Sequence, residues 1–392
     1  MTRGGNLRAS AKAGCFTESV IREMTRVANQ HGAINLAQGF PDFPAPAALK
    51  EAAVRAIRAD VNQYAVTWGS RALRHAIARF LQRRRGVAVD PDTQVTVCCG
   101  ATEGMIAAMM GVLDPGDEVL IPEPFYENYG PDGVLSGAQP RCVPLGPGFA
   151  LDPEGLVRAL TPRTRAVVLN TPHNPTGRVF TQDEIGALCR FVQEHDLLLF
   201  TDEIYEEILY TGPHRTLLLW PGMAERTLVV SGASKTFSVT GWRVGWVIGP
   251  PALTAGVRKV HDFLTVGAPA PLQEAVAEAL DWDDAYYDGM RAEYRERRDF
   301  TVQALRQAGF ACDTPQGSYY VMTDCSRFLR PGESDTDFAL RLVRDAGVAT
   351  VPGSSFYAKP PGGARLVRFC YAKKMETLRA AAARLEQWSA RA

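Results

Sequence analysis

Apolar residues fall along this chain in two rhythms. Short continuous runs at Val95–Cys99, Glu118–Pro122, Arg165–Asn170, Leu197–Asp202, Thr227–Val230 and Val244–Ile248 read as strands buried on both faces. Between them, over Glu103–Leu113 and Thr181–His195, apolar positions recur every three or four residues, the spacing of one helix face. A further helix is expected to start within Glu123–Glu127. Strand and helix alternating in this way predict an α/β fold around a mostly parallel central sheet. Upstream, Ser19–Asn29 and Ala47–Ala59 have helical patterns, and Ser70 is placed to cap a helix running to about Arg85. The segment Ile34–Pro46 is rich in proline, glycine and aromatic residues and cannot continue a helix. Downstream, the helix-rich stretch Asp281–Gly309 leads to strand-like runs at Ser318–Thr323, Val348–Val351 and Ala364–Tyr371. These patterns divide the chain into an N-terminal segment (1–46), a large α/β domain (47–290) and a smaller C-terminal α+β domain (291–392), with the N-terminal segment packed on the last.

Length supports more than one domain, since 392 residues exceed what a single core usually serves. Apolar residues make up 46% of the chain, yet no run approaches the roughly 20 residues of a spanning helix, so no membrane partner is expected. Residues Met1–Arg8 carry no apolar segment, so no secretory leader is expected. Basic and acidic residues balance at 43 each, which gives no reason to expect nucleic acid. The arginine clusters Arg83–Arg85 and Arg291–Arg298 read as solvated helix faces. Eight cysteines without a Cys-x-x-Cys pair fit a reducing cytoplasm, and no metal site is expected at the adjacent Cys98 and Cys99.

The candidate chemistry centres on Ser231–Trp246, which follows an apolar strand. One lysine, Lys235, stands in a loop of small residues, and Arg243 follows eight positions later. A desolvated lysine has a lowered pKa and a free amine for carbonyl chemistry, and an arginine is a fixed fork for phosphate. Pyridoxal phosphate needs both. The rest of the chain supplies what else such a cofactor requires. Gly100, Ala101 and Thr102 lie between a strand and a helix, where backbone N–H groups bind phosphate, with Ser234 to add a hydroxyl. Asp202 ends an apolar strand and suits a protonated ring nitrogen. Tyr205 and Asn174 could donate to the ring oxygen, and Phe125 could lie over the ring. Arg368, a charge inside an apolar strand pattern, could hold a substrate carboxylate, and spacing alone leaves Arg365 as its competitor.

Three motifs, in chain order Asn174–Gly177, Thr201–Tyr205 and Ser234–Gly245, resemble the class I/II aminotransferases of fold type I, which use pyridoxal phosphate. The resemblance runs from about Ile34 to Tyr371. The stretches Gln38–Phe43, Glu123–Tyr126 and Arg368–Tyr371 are most similar to the kynurenine/glutamine/methionine aminotransferases. It implies that Lys235 bonds the cofactor and then shuttles the substrate proton, and that Asp202 holds the ring nitrogen. Tyr205 and Asn174 would bond the ring oxygen, and Gly100, Ala101, Thr102, Ser234 and Arg243 the phosphate, with Phe125 stacked on the ring. Arg368 and the backbone of Gly39 would take the substrate carboxylate. Tyr64 would reach the partner subunit's phosphate, implying a homodimer with shared sites. The activity implied is amino-group transfer from an L-amino acid, neutral or aromatic such as Gln, Met, Phe or kynurenine, to a 2-oxo acid; the alternative is a C–S β-lyase or another enzyme that labilises the Cα–H bond. Three positions depart from the pattern: Gly232 replaces a frequent serine, Val20-Ile21 a frequent aromatic, and Cys98-Cys99 frequent glycines.

Overall fold

The computed structural model describes residues 9–391. Met1–Arg8, read above for a secretory leader, lie outside the described residues. The strands are β1 (Ile34–Asn35), β2 (Val95–Cys98), β3 (Glu118–Glu123), β4 (Gln139–Pro144), β5 (Thr164–Asn170), β6 (Leu198–Asp202), β7 (Thr227–Gly232), β8 (Gly245–Ile248), β9 (Tyr320–Asp324), β10 (Val348–Ala349), β11 (Val351–Pro352) and β12 (Leu366–Cys370). The helices are α1 (Val20–Gln30), α2 (Ala47–Arg58), α3 (Arg71–Arg85), α4 (Ala101–Val112), α5 (Tyr129–Ser136), α6 (Pro153–Ala159), α7 (Gln182–Glu194), α8 (Ala233–Thr236), α9 (Pro251–Thr265), α10 (Ala270–Leu280), α11 (Asp284–Gln307), α12 (Asp335–Ala346) and α13 (Met375–Ser389).

Seven strands form the central sheet in the order β2-β8-β7-β6-β5-β3-β4. The run from β7 to β4 is parallel, and β8 lies antiparallel between β7 and β2, so the sheet is mostly parallel, as its continuous apolar strands predict. Successive residues face opposite sides. Val119 and Ile121 join Met105, Met109 and Val257 in a core under α4 and α9. Leu120, Val167 and Leu199 join Leu156, Leu188 and Val192 under α6 and α7. Two caps follow from the sequence. Ser70 accepts from the Leu73 amide at 3.2 Å, and Thr181 forms a capping box with Glu184.

The differences have local causes. β4 carries no clear strand signature in the sequence because it is an edge strand whose prolines and adjacent Cys142 and Val143 break the alternation. The helix expected at Glu123 starts only at Tyr129, because the Phe125 amide bonds the Phe356 carbonyl (2.9 Å) and holds the segment away from helical geometry. Val348–Val351 splits in two: β10 pairs with β1, and β11 joins β12 and β9 in a separate sheet. The arginine clusters are solvated only in part, at Arg83 and Arg295. Arg85 lies buried against Glu206 and Glu207, the half-buried Arg84 pairs with Glu207, and Arg291 reaches Glu207 from α11. No helix of the described residues is long and apolar enough to cross a membrane.

Candidate active site

A cavity of about 360 Å³ opens beyond the carboxyl ends of β5, β6 and β7, where open α/β sheets bind ligands. Gly39, Ala101, Thr102, Asn174, Asp202, Tyr205, Ser234, Lys235 and Arg243 all line it.

Lys235 stands on α8, a single helical turn directly after β7, rather than on the expected loop. The turn starts at Gly232, whose extended backbone lies against its antiparallel neighbour Gly245. A Cβ at Gly232 would come within 2.9 Å of the Gly245 Cα, which explains the departure from serine there. The Lys235 amine donates to the Gly39 carbonyl at 3.3 Å and lies 5.6 Å from the centre of the Tyr319 ring. Burial lowers its pKa to about 8, and Cys370 and Asp202 only partly oppose this. Gly39 itself has no room for a side chain, since a Cβ would meet the Tyr320 hydroxyl at 1.7 Å.

Asp202 closes β6. Its Oδ2 accepts from the Tyr129 hydroxyl (2.7 Å) and its Oδ1 from the Ile204 amide (3.1 Å). Burial nevertheless pushes its carboxyl above the usual range against those two donors, because no cation sits beside it closely enough to outweigh desolvation. Asn170, at the end of β5, donates to the Asp202 carbonyl (2.8 Å) and accepts from the Asn174 amide (2.6 Å). Asn174 in turn accepts from Arg368 at 2.7 Å through its side-chain oxygen, which turns its amide nitrogen toward other acceptors. Tyr205 is buried, with its hydroxyl 3.3 Å from that of Tyr320.

Arg243 adopts a left-handed backbone (φ 53°) that brings its guanidinium over Gly100. A Cβ at Gly100 would lie 2.2 Å from the Arg243 Nη2, so this glycine belongs beneath the arginine rather than on the cavity wall. Ala101 and Thr102 form the first turn of α4, whose N–H groups have no helical partners. Arg368 is fully buried in β12 behind Asn174 and Tyr320. It donates to Asn174 and to the Ala37 carbonyl (2.9 Å), while its Nε is buried without a partner among the described residues. Arg365 is exposed, which removes it as competitor.

One expectation needs correction. Phe125 is packed in the core with Tyr129 and does not line the cavity; Tyr126 does. Neighbouring side chains of an extended segment point to opposite sides, so an aromatic wall here is read one residue too early from the sequence. Tyr64, expected to serve the partner's phosphate rather than this chain's, lies outside this chain's cavity and is 87% exposed. The sequence reading also missed Tyr129, Asn170 and Tyr320, and the mouth residues Ser19 and Arg22, while Ile21, singled out as a departure from the pattern, does line the mouth. Asn170 carried a signal, a polar residue closing an apolar strand as Asp202 does.

The donor set fits pyridoxal phosphate. A guanidinium over a helix start awaits an anion, a buried acid awaits a cation, a desolvated amine awaits a carbonyl, and a second buried guanidinium has an orphaned Nε. The fold and site are those of a fold type I pyridoxal-phosphate enzyme. The chain belongs to the aminotransferase class I and II family, whose pattern it matches over residues 31–385. It is 43% identical over 382 residues to a probable N-succinyldiaminopimelate aminotransferase of Mycobacterium tuberculosis, covering 94% of this chain and 96% of that one. It is 38% identical to the methionine aminotransferase of Escherichia coli, covering 94% and 95%. The solved structure of N-succinyldiaminopimelate aminotransferase from Mycobacterium tuberculosis superposes with a TM-score of 0.94 at 41% identity, covering 97% of this chain and all of that one. The protein is an aminotransferase that uses pyridoxal phosphate and moves an amino group to a 2-oxo acid, within the subgroup the motifs indicated.

Proposed function

We propose that the enzyme takes its amino group from a neutral or aromatic L-amino acid, such as methionine, glutamine, phenylalanine or kynurenine. The observation that carries this reading is the cavity wall: Ile21, Phe40, Tyr126 and Tyr320 offer apolar and aromatic surface, with Gln38 and Arg22 to meet a polar end. Arg368 binds the α-carboxylate, which supplies the anion its buried charge lacks. Because Asn174 holds Arg368 through its oxygen, its amide nitrogen is the donor for the ring oxygen, alongside the Tyr205 hydroxyl. Asp202 holds the ring nitrogen, and Arg243, Ser234, Thr102 and the α4 amides hold the phosphate, with Tyr126 against the ring.

Bound pyridoxal phosphate supplies the carbonyl that takes up the amino group and the ring that draws electrons from the Cα–H bond. Lys235 does the proton work. Its lowered pKa leaves a substantial share of its amine neutral near pH 8, so Nζ could take the proton from the substrate Cα and release it on the cofactor side of the nitrogen.

The chain works as a homodimer in the cytoplasm, divided into a large domain over 47–290 and a small one over 291–392 with the N-terminal segment. Support for the dimer is an exposed apolar surface formed by Tyr64 and Val66 with Phe263 (92% exposed) and Leu264. His261 ties these two segments together by bonding the Thr67 carbonyl (2.9 Å). Unpaired cysteines support the cytoplasm.

The test is a panel of amino acids added singly to the enzyme without an oxo acid, read as formation of the pyridoxamine absorbance. Methionine, glutamine, phenylalanine and kynurenine should convert faster than aspartate. Aspartate as the fastest donor would overturn the side-chain assignment. Ammonia and pyruvate released from a cysteine conjugate, with no pyridoxamine formed, would point to β-elimination.

A further inference from the structure

Asp132 is a carboxyl for which the roles above have no use. It lies in the first turn of α5, one turn beyond Tyr129 and on the same face. It lines the cavity and is only 4% exposed. Its Oδ2 is buried with no hydrogen-bond partner among the described residues. The Tyr129 hydroxyl, on the same helix, is already bonded to Asp202. An unpaired buried carboxyl costs free energy, and an asparagine or an apolar side chain of similar size would cost less. Such a group persists where a ligand offsets the cost. The ligand chemistry is set by what surrounds it. Asp202 shares the same cavity floor, and burial together with the charge of Asp202 pushes the Asp132 carboxyl up to about 8. Two acids facing one space disfavour each other's charge until a cation enters between them.

We propose that Asp132 is a positioning residue for the ring nitrogen of the cofactor, forming with Asp202 a floor of two carboxyls that favours a protonated ring over a neutral one. Asp202 makes the direct contact. Asp132 acts through the field it adds and through the Tyr129 turn that holds Asp202. The inference rests on the cofactor assignment and adds to it a second acid.

The experiment compares binding of pyridoxal phosphate with that of its 1-deaza analogue, whose ring carries C–H in place of nitrogen and cannot be protonated. Apoenzyme of the wild type, Asp132→Asn and Asp132→Val is titrated with each by fluorescence. The wild type should prefer pyridoxal phosphate, and both variants should lose on the order of tenfold of that preference. Affinity for the deaza analogue should stay within about twofold, which also reports that the variants are folded. The apoenzyme of Asp132→Asn should melt no lower than the wild type at pH 8.5, because it sheds an unpaired buried acid. An unchanged preference in both variants would overturn the proposal. So would an equal loss of affinity for both ligands, which would mark Asp132 as a packing residue only. A wild type that bound neither ligand through Lys235 would bring down the cofactor assignment as well.

Discussion

Two groups of buried charge lie close together in this enzyme, and they are built differently. In the first, Arg84 and Arg85 of α3 meet Glu206 and Glu207, with Arg291 adding a further partner. Arg85 lies 2.6 Å from Glu207 and 3.0 Å from Glu206, and Arg84 lies 2.8 Å from Glu207. Burial works against the Glu207 carboxylate, but Arg85 and Arg84 outweigh it and hold its pKa below the usual range. Burial dominates at Glu206, whose pKa is raised despite Arg85. The second group is Lys235, Arg243, Arg368, Asp202 and Asp132 around the cavity. Among the described residues, none of its three cations has a carboxylate in hydrogen-bond contact, and its acids have no cation in such contact.

The first group is complete within the chain and the second is completed by a ligand. A closed network fixes position, and an open one binds. The two are also joined in sequence and space. Glu206 follows Tyr205 directly and accepts from the Ser231 hydroxyl (2.5 Å), four residues before Lys235. The closed network therefore anchors the turn that carries Tyr205 and the strand that leads to Lys235.

The sharpest break between the two groups should come from Lys235→Ala. Turnover should fall by more than about a thousandfold with saturating cofactor, measured at steady state, while the fold persists. Residual turnover near the wild-type value would refute the proton role. Next, Arg368→Met should raise the KM for the amino acid by on the order of a hundredfold. Its melting temperature should change little, because the wild-type charge has no anion in the free enzyme. In the closed network the pattern should invert. Glu207→Gln should destabilise the enzyme by about 3 kcal/mol in denaturant unfolding. The KM of the folded fraction should stay close to that of the wild type.

Smaller effects sharpen the same contrast. Because burial depresses the Lys235 pKa to about 8, its amine is mostly protonated below that pH and mostly free above it. Reconstitution of apoenzyme with pyridoxal phosphate should therefore speed up about tenfold from pH 7 to pH 9, with a midpoint near 8. A midpoint near 10 would show an amine that is not desolvated. Last, Tyr126→Leu should weaken cofactor binding by about fivefold, while Phe125→Leu should leave it unchanged and cost about 1 kcal/mol of stability.

The sheet was legible because its strands are continuous apolar runs that need covering on both faces, a pattern that survives without any three-dimensional information. β4 was not, because an edge strand with prolines and charges does not alternate strongly. The floor of the site was legible for the same reason as the sheet: Asp202, Asn174 and Lys235 are polar residues set where apolar strands stop. The walls were harder. Choosing Phe125 over Tyr126 needed the direction of an extended segment, which depends on the Phe356 contact far along the chain. Tyr129 and Asp132 depended on where α5 begins, and that boundary was misplaced. The arginines of α3 looked like a solvated face because their partners, Glu206 and Glu207, lie about 120 residues away. Long-range charge pairing leaves no local trace in sequence.

The account stands on the amine of Lys235 bonding the cofactor. Borohydride reduction of the holoenzyme, followed by peptide mapping, should place the phosphopyridoxyl group on the peptide containing Lys235. Its recovery on another lysine, or on no peptide after full reconstitution, would contradict it.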